Sequence, residues 1–125
     1  MHTMQNHLLG FYDDPQSIVS KESIPIEIAL AIACHDEHIL FMFNTQRQWW
    51  ELPGGLIDAG ETVLTAAKRE LLEETNQVAT DMICVGFAHL RLQPAQREVL
   101  AAVHYGRIVD KRPFVANREA SHLLW

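Results

Sequence analysis

The stretch that most constrains this chain is GGLIDAGETVLTAAKRELLEETNQ, from Gly54 to Gln77, where a glycine turn opens onto a run of helix-forming residues. Val63 to Glu74 contains neither Gly nor Pro, and Thr62 is placed to cap its start. Asn76 is placed to end it, because Asn tolerates the left-handed backbone used just past a helix. The spacing predicts a helix over Val63–Glu74. Strand patterns surround it. Ile24–Ala33 reads as a buried strand, CHDEH as a turn, and Ile39–Phe43 as the second arm of a hairpin. Trp49–Leu52 is a short strand stopped by Pro53 and the glycine pair. Met82–Leu92 and Glu98–Val109 read as strands joined by the turn QPAQR. DKRPFVANREA is a loop, and SHLLW starts a strand or a short helix. Residues 1–22 read as polar and irregular, with a turn at Asp13–Pro15. With no internal repeat or linker, the pattern places residues 1–125 in one domain, an α+β or mixed α/β sandwich.

Charge narrows the function classes. A net charge of −6 argues against a binder of nucleic-acid polymers or anionic membranes, which need a basic surface. It leaves a phosphate substrate open, since a bound cation reverses the local sign. Cys34 and Cys84 both sit in apolar runs and read as buried thiols of a reducing compartment rather than as a disulfide. The N-terminal stretch lacks the charged-then-apolar order of a secretory leader. IEIALAIAC, the longest apolar run, contains Glu27 and is too short to span a bilayer. A cytoplasmic location is the expectation.

On a helical wheel of about 100° per residue, Glu74 lies roughly 40° to one side of Glu70 and Glu73 roughly 60° to the other. The three share about a third of the circumference, and Val63, Ala66 and Ala67 continue that side toward the N-terminus. One face is therefore small and apolar in its first half, able to approach a sheet closely, and acidic in its second. Like charges at this spacing repel by a few tenths of a kcal/mol per pair in water, and more when partly buried. They also stand at the helix end whose dipole disfavours anions. A divalent cation is the simplest compensating partner, and carboxylates without His or Cys suit Mg2+ or Mn2+ better than zinc. The bland alternative is a solvated Glu-rich surface in which Arg69 pairs with Glu73 across one turn.

The context weighs against the bland alternative. Gly55, then Glu61 after five residues, then RELLEE from Arg69 to Glu74 after seven more, resembles the Nudix box. Every charged position of that pattern is matched. Asn76 and Gln77 stand where the pattern has a glycine and an aliphatic residue. Asn76 still suits the left-handed cap, and Val78 is placed to restore the apolar contact that Gln77 loses. WELPGG and the order of strands are also similar to that family.

The resemblance implies an α/β/α sandwich with a mixed sheet and a loop–helix–loop motif. It implies a hydrolase acting on a nucleoside diphosphate linked to another moiety, with Mg2+ or Mn2+ as cofactor. Carried over by position, Glu70, Glu73, Glu74 and the carbonyl of Gly54 bind metal, and Arg69 pairs with Glu61 to hold the helix geometry. A further glutamate, acting as base or ligand, comes from Glu119 or from Glu98, and the loop position favours Glu119. The alternatives are a nucleotide-binding module without catalysis and an isoprenoid diphosphate isomerase-like enzyme. The first loses box glutamates that are all present here, and the second wants an active-site cysteine and a longer chain.

Other residues carry weaker signals. Trp49 and Trp50 face opposite sides of a strand, so one packs and the other faces the cleft or solvent. His89, Arg91 and Tyr105 alternate with apolar residues on strands, a pattern more often structural than substrate-binding. The apolar end at Trp125 suggests a trimmed chain lacking a C-terminal helix, or a terminus covered by a partner subunit in a homodimer.

Overall fold

The structure is a computed structural model that describes residues 6–14 and 23–125. Ile26–His35 (β2) is its central strand. Its sequence alternates two kinds of apolar residue: Ala29, Ala31 and Ala33 face one way, and Ile28, Leu30 and Ile32 the other. The alanine face receives the helix Val63–Thr75 (α1), whose Ala66, Ala67 and Leu71 pack on it together with Leu40, Met82 and Ile108. Small residues on both surfaces let the helix lie close to the sheet.

Two sheets organise the chain. In the larger, His7–Tyr12 (β1) pairs with Thr80–Leu92 (β7), which pairs with Arg97–Arg107 (β8), then β2, then His38–Ile39 (β3). Gly54–Leu56 (β6) also pairs with β2, along Ile28–Leu30. The β2–β8 pairing is parallel and the others are antiparallel, so the sheet is mixed. A three-stranded sheet runs Trp49–Glu51 (β5), Phe41–Asn44 (β4) and Ala120–Leu124 (β9). This is a mixed α+β architecture with one helix among the described residues. The second helical layer of a full sandwich is not among them.

The helix boundaries match the sequence reading. Thr62 Oγ1 accepts from Thr65 N at 3.1 Å, and Asn76 adopts φ 59° with its N–H donating to Leu72 O at 2.9 Å. Several readings change. The polar N-terminus contains a strand, β1, an edge whose mostly exposed side chains carry no alternation to read. Asp13 and Asp14 form a bend, whereas Pro15 of the expected turn lies outside the described residues. The strand expected over Ile39–Phe43 divides. His38–Ile39 closes the hairpin on β2, and after fully buried Leu40 the chain crosses to the other sheet as β4. SHLLW is strand, as β9. Against the expectation of buried thiols, Cys84 is exposed on β7 and Cys34 is half-buried on β2, where it faces away from the alanine side; both are free. No helix among the described residues is long and apolar enough to cross a membrane.

Candidate active site

The glycines after Pro53 bring backbone and helix together. Gly54 N–H donates to Glu74 Oε1 at 2.8 Å, which ties β6 to the last turn of α1. A Cβ at Gly54 would lie 2.4 Å from the carbonyl oxygen of Ala29, and one at Gly55 would lie 2.7 Å from Glu70 Oε1. Both positions need glycine for close approach, the second so that the Glu70 carboxylate can rest against the strand.

Glu70, Glu74 and Glu119 converge, with one carboxylate oxygen from each lying within 4.8 Å of the others. Glu70 and Glu74 are buried on the inner face of α1, while Glu119 arrives from the loop before β9 and stays exposed. Burial, unrelieved by the hydrogen bond from Gly54, pushes the Glu74 carboxyl up to about 9, with Glu70 and Glu119 adding to the rise. Burial likewise raises Glu70, partly offset by Arg69. Around neutral pH the metal-free cluster therefore keeps a proton on Glu74.

A second carboxylate group surrounds Arg69. Its Nε and Nη2 donate to Glu61 at 2.8 and 2.9 Å, and its Nη1 to Glu70 at 3.0 Å and Glu73 at 3.2 Å. Nη2 also donates to Leu56 O, and Asp58 stands 3.5 Å away. The hydrogen bond from Arg69, seconded by the Asp58 backbone, lowers Glu61 below the usual carboxylate range. The same bond raises Arg69. Glu61 Oε1 in turn accepts from Asp58 N, so the guanidinium pins the turn that precedes the helix.

The structure thus brings the sequence-selected residues into two sets. Arg69 pairs with Glu61, and Glu70 and Glu74 meet with Gly54 beside them. Glu73 points to Arg69, not into the cluster, and its side chain is 58% exposed. Of the two candidates for an additional glutamate, Glu119 joins the cluster, whereas Glu98 pairs with His89 at 2.7 Å.

Two further features escaped the sequence reading. Gln77 is fully buried and Val78 is about half exposed, so Val78 replaces no apolar contact; Gln77 fills its own site as a hydrogen-bonding residue. Asn117 Oδ1 accepts from Glu119 N at 3.0 Å and Ala120 N at 2.9 Å, and its Nδ2 donates to Glu74 O at 2.9 Å. A polar residue two before Glu119 was the available signal, since Asn commonly bonds the backbone two residues on.

On the other side of the glycine strand lies a cleft of about 510 Å3, lined by Ile28, Leu30, Trp49, Gly54, Gly55 and Leu90 among others. Trp49 is the wall residue of the tryptophan pair, its Nε1 donating to Glu51 Oε2 at 2.8 Å. Trp50 is on the opposite side, edge-on to Phe43. Arg47 and Asn44 also bond Glu51, which fixes the Trp49 indole from behind. Gly54 and Gly55 border both cleft and acidic cluster, so one extended ligand could occupy both.

Comparison with known proteins bears on the family and the fold. A family model described as NUDIX domain matches residues 27–123. A MutT-like protein of Streptomyces ambofaciens is 31% identical over 68 residues, 54% of this chain and 44% of its own length. A Bacillus subtilis protein whose name carries an 8-oxo-dGTP diphosphatase assignment is 30% identical over 90 residues, 71% of this chain and 57% of its own length. The chain thus spans about half the length of these curated relatives. Among solved structures, a Bacillus subtilis pyrophosphohydrolase superposes with a TM-score of 0.71 over 95% of this chain and 69% of that one, at 18% identity, a likeness of fold.

Proposed function

The chain belongs to the NUDIX family, and from that premise we propose that it is a Mg2+- or Mn2+-dependent pyrophosphohydrolase acting on a nucleoside diphosphate linked to another moiety. The convergence of Glu70, Glu74 and Glu119 carries the reading. The donor set fits a hard divalent cation: three carboxylates, no thiolate or imidazole, and a proton on Glu74 that a cation would displace. Glu70, Glu74 and the Gly54 carbonyl would hold the ion, and exposed Glu73 would serve a second ion or its water at the rim. When bound there, such an ion would supply charge to neutralise the diphosphate and lower the pKa of a water for attack on phosphorus. Glu119, the exposed member, accepts the proton of the attacking water as the oxygen–phosphorus bond forms and the bridging oxygen leaves with the other half of the substrate. Arg69 and Glu61 keep Glu70 aimed and the glycine turn in place.

The cleft beside Gly54 and Gly55 would take the nucleoside, with the Trp49 ring as a flat apolar wall. A nucleoside triphosphate is the favoured substrate type, supported by the name of the Bacillus subtilis relative. In this reading residues 1–125 act as one domain, since β1 completes the sheet through β7. The free thiols of Cys34 and Cys84 support a reducing, cytoplasmic setting. Incubation with nucleoside triphosphates, nucleotide sugars and dinucleoside polyphosphates, with Mg2+, Mn2+ or a chelator, tests the proposal. Metal-dependent release of a nucleoside monophosphate is the expected result. No turnover of any of them with either metal would overturn it.

A further inference from the structure

Asn76 and Gln77 are the two positions of the Gly54–Gln77 stretch that depart from the pattern it resembles, and both side chains bond one distant loop. Gln77 Nε2 donates to Arg112 O at 2.7 Å, and Gln77 Oε1 accepts from Arg112 N at 2.9 Å. One buried amide therefore holds both backbone groups of Arg112, as a neighbouring strand would. Asn76 Nδ2 donates to Pro113 O at 2.7 Å. A buried amide is tolerated only when its donors and acceptor are satisfied, and this one is, with Thr75 O as a further acceptor at 3.2 Å. An aliphatic side chain would fill the space and tie nothing.

The loop so held is the one that delivers Glu119. Past Pro113 it returns to α1 through Asn117, whose Nδ2 reaches Glu74 O while its Oδ1 holds the N–H groups of Glu119 and Ala120. The carbonyl of Glu119 accepts from Thr45 N at 2.9 Å. The backbone of Glu74, whose side chain lies in the acidic cluster, is thus one hydrogen-bonded residue away from the backbone of Glu119.

We propose that Gln77 and Asn117 are positioning residues that strap residues 110–119 to the C-terminal end of α1, so that the Glu119 carboxylate meets Glu70 and Glu74 in a fixed geometry. The strap deepens the reading of that cluster as a divalent-cation site and rests on it. Gln77→Leu keeps the buried volume and removes the strap. Asn117→Ala removes both arms of the second bridge, and Asn117→Asp keeps the acceptor for Glu119 N–H. Supporting partners of metal ligands are worth about 10- to 100-fold in affinity or activity. Gln77→Leu and Asn117→Ala should each weaken Mn2+ binding about tenfold and lower kcat about tenfold with KM unchanged, and Asn117→Asp should recover part of both.

A double-mutant cycle separates positioning from general loosening. In a Glu119→Gln background, Gln77→Leu should cost no further kcat or Mn2+ affinity. Full additivity would overturn the proposal. Amide hydrogen exchange supplies a readout without metal or substrate. In Gln77→Leu the N–H groups of Thr45 and Glu119, neither bonded to Gln77, should exchange about tenfold faster than in the parent protein, as expected when a local opening becomes easier. Unchanged exchange at both would overturn the strap. Faster exchange in a protein that binds no Mn2+ would uphold the strap and overturn the cation-site reading alone.

Discussion

Around Arg69, four carboxylates (Asp58, Glu61, Glu70 and Glu73) are gathered by a single guanidinium. One turn further along the same helix, Glu70 meets Glu74 and Glu119, and among the described residues no basic side chain pairs with those last two. The outer group receives a counter-charge from the protein, the Arg69 guanidinium, and pins a turn. The inner group is deeper and tied by the Gly54 N–H to the Glu74 carboxyl and by the Asn117 side-chain amide to the Glu74 carbonyl, with its repulsion relieved by a proton. Two unit charges about 4 Å apart repel by about 4 kcal/mol at an effective dielectric of 20, so three ionised carboxylates there need a cation. The comparison separates a structural acidic cluster from one organised to receive an ion: what differs is whether the chain supplies the counter-charge.

The largest effect that could break this comparison is expected in the inner group. Glu74→Gln should lower metal-dependent turnover by about 10³-fold or more, the scale of losing a group that organises the reacting water. The metal-free protein should be no less stable, because the amide replaces a carboxyl that is already protonated. Saturating Mg2+ should raise the parent's stability by about 2.7 kcal/mol at a hundredfold excess over Kd. Thermal melts should show that increment vanish in a Glu70→Gln/Glu74→Gln variant. If the double variant keeps it, the ion binds elsewhere.

Arg69→Ala addresses the outer group and comes next in size. It strands Glu61, Glu70 and Glu73 and frees the Leu56 carbonyl. Breaking a buried pair costs about 3–5 kcal/mol, and with Arg69 24% exposed about 2–3 is the expectation. Urea unfolding measures it. Turnover should fall as well, because Glu70 loses its aim. An unchanged midpoint would make Arg69 a surface ornament and remove the outer half of the comparison.

What the sequence disclosed divides along the same line. The Glu70–Glu74 face was legible because helical spacing fixes which side chains are neighbours, whereas the Glu61–Arg69 pairing came from the resemblance to the Nudix box, since Glu61 precedes the helix. Helical spacing allowed the Arg69–Glu73 pair but did not decide whether Glu73 faces Arg69 or the cluster, and Glu119, favoured over Glu98 by loop position alone, arrives from a loop whose path depends on Gln77 and Asn117. The alanine face of β2 was readable as a buried strand. The crossing of β4 into a second sheet was not, since Leu40 and Met42 are equally buried on either side of the switch. Edge strand β1 gave no signal because its side chains face solvent.

Acidity should sharpen the comparison, since the two groups respond to it with opposite sign. Glu74 is raised in the folded state, so its contribution is full at pH below about 4.5, its unfolded value, and is lost as pH climbs toward about 9. Glu61 is lowered, so its contribution is present above its unfolded value and is lost as pH falls through the folded one. Without metal, stability should decline between pH 5 and 9 by at most about 1.4 kcal/mol per pH unit, the slope for one proton. Chemical denaturation across that range with a chelator present measures the slope. Glu74→Gln should flatten it, whereas Glu61→Gln should leave it in place and remove an acid-side loss instead. Mg2+ should also flatten it, because the ion binds the ionised form and gains affinity as the proton leaves. A slope unchanged in Glu74→Gln would assign the proton to another group.

The smallest expected effect is at Glu98, and it decides between the two glutamates that the sequence left open. Glu98 sits at the start of β8 with its side chain 44% exposed, 2.7 Å from Nε2 of His89 on β7. His89 is buried, but the Glu98 carboxylate is solvated enough that the pair contributes about 0–1 kcal/mol, and an amide in its place still accepts from the imidazole. Glu98→Gln should therefore change stability by less than about 1 kcal/mol and leave kcat, KM and Mn2+ affinity at parent values. Glu119→Gln, measured beside it, should lower kcat by about 10²–10⁴-fold, the range for a general base. The two carboxylates differ in what they touch: Glu119 is within 4.8 Å of Glu70 and Glu74, while Glu98 has an imidazole. Reversal of the two results, with Glu98→Gln slow and Glu119→Gln unimpaired, would mean that the proton leaves the attacking water on the β7–β8 side of the molecule. The acidic cluster on α1 would then bind metal without supplying the base.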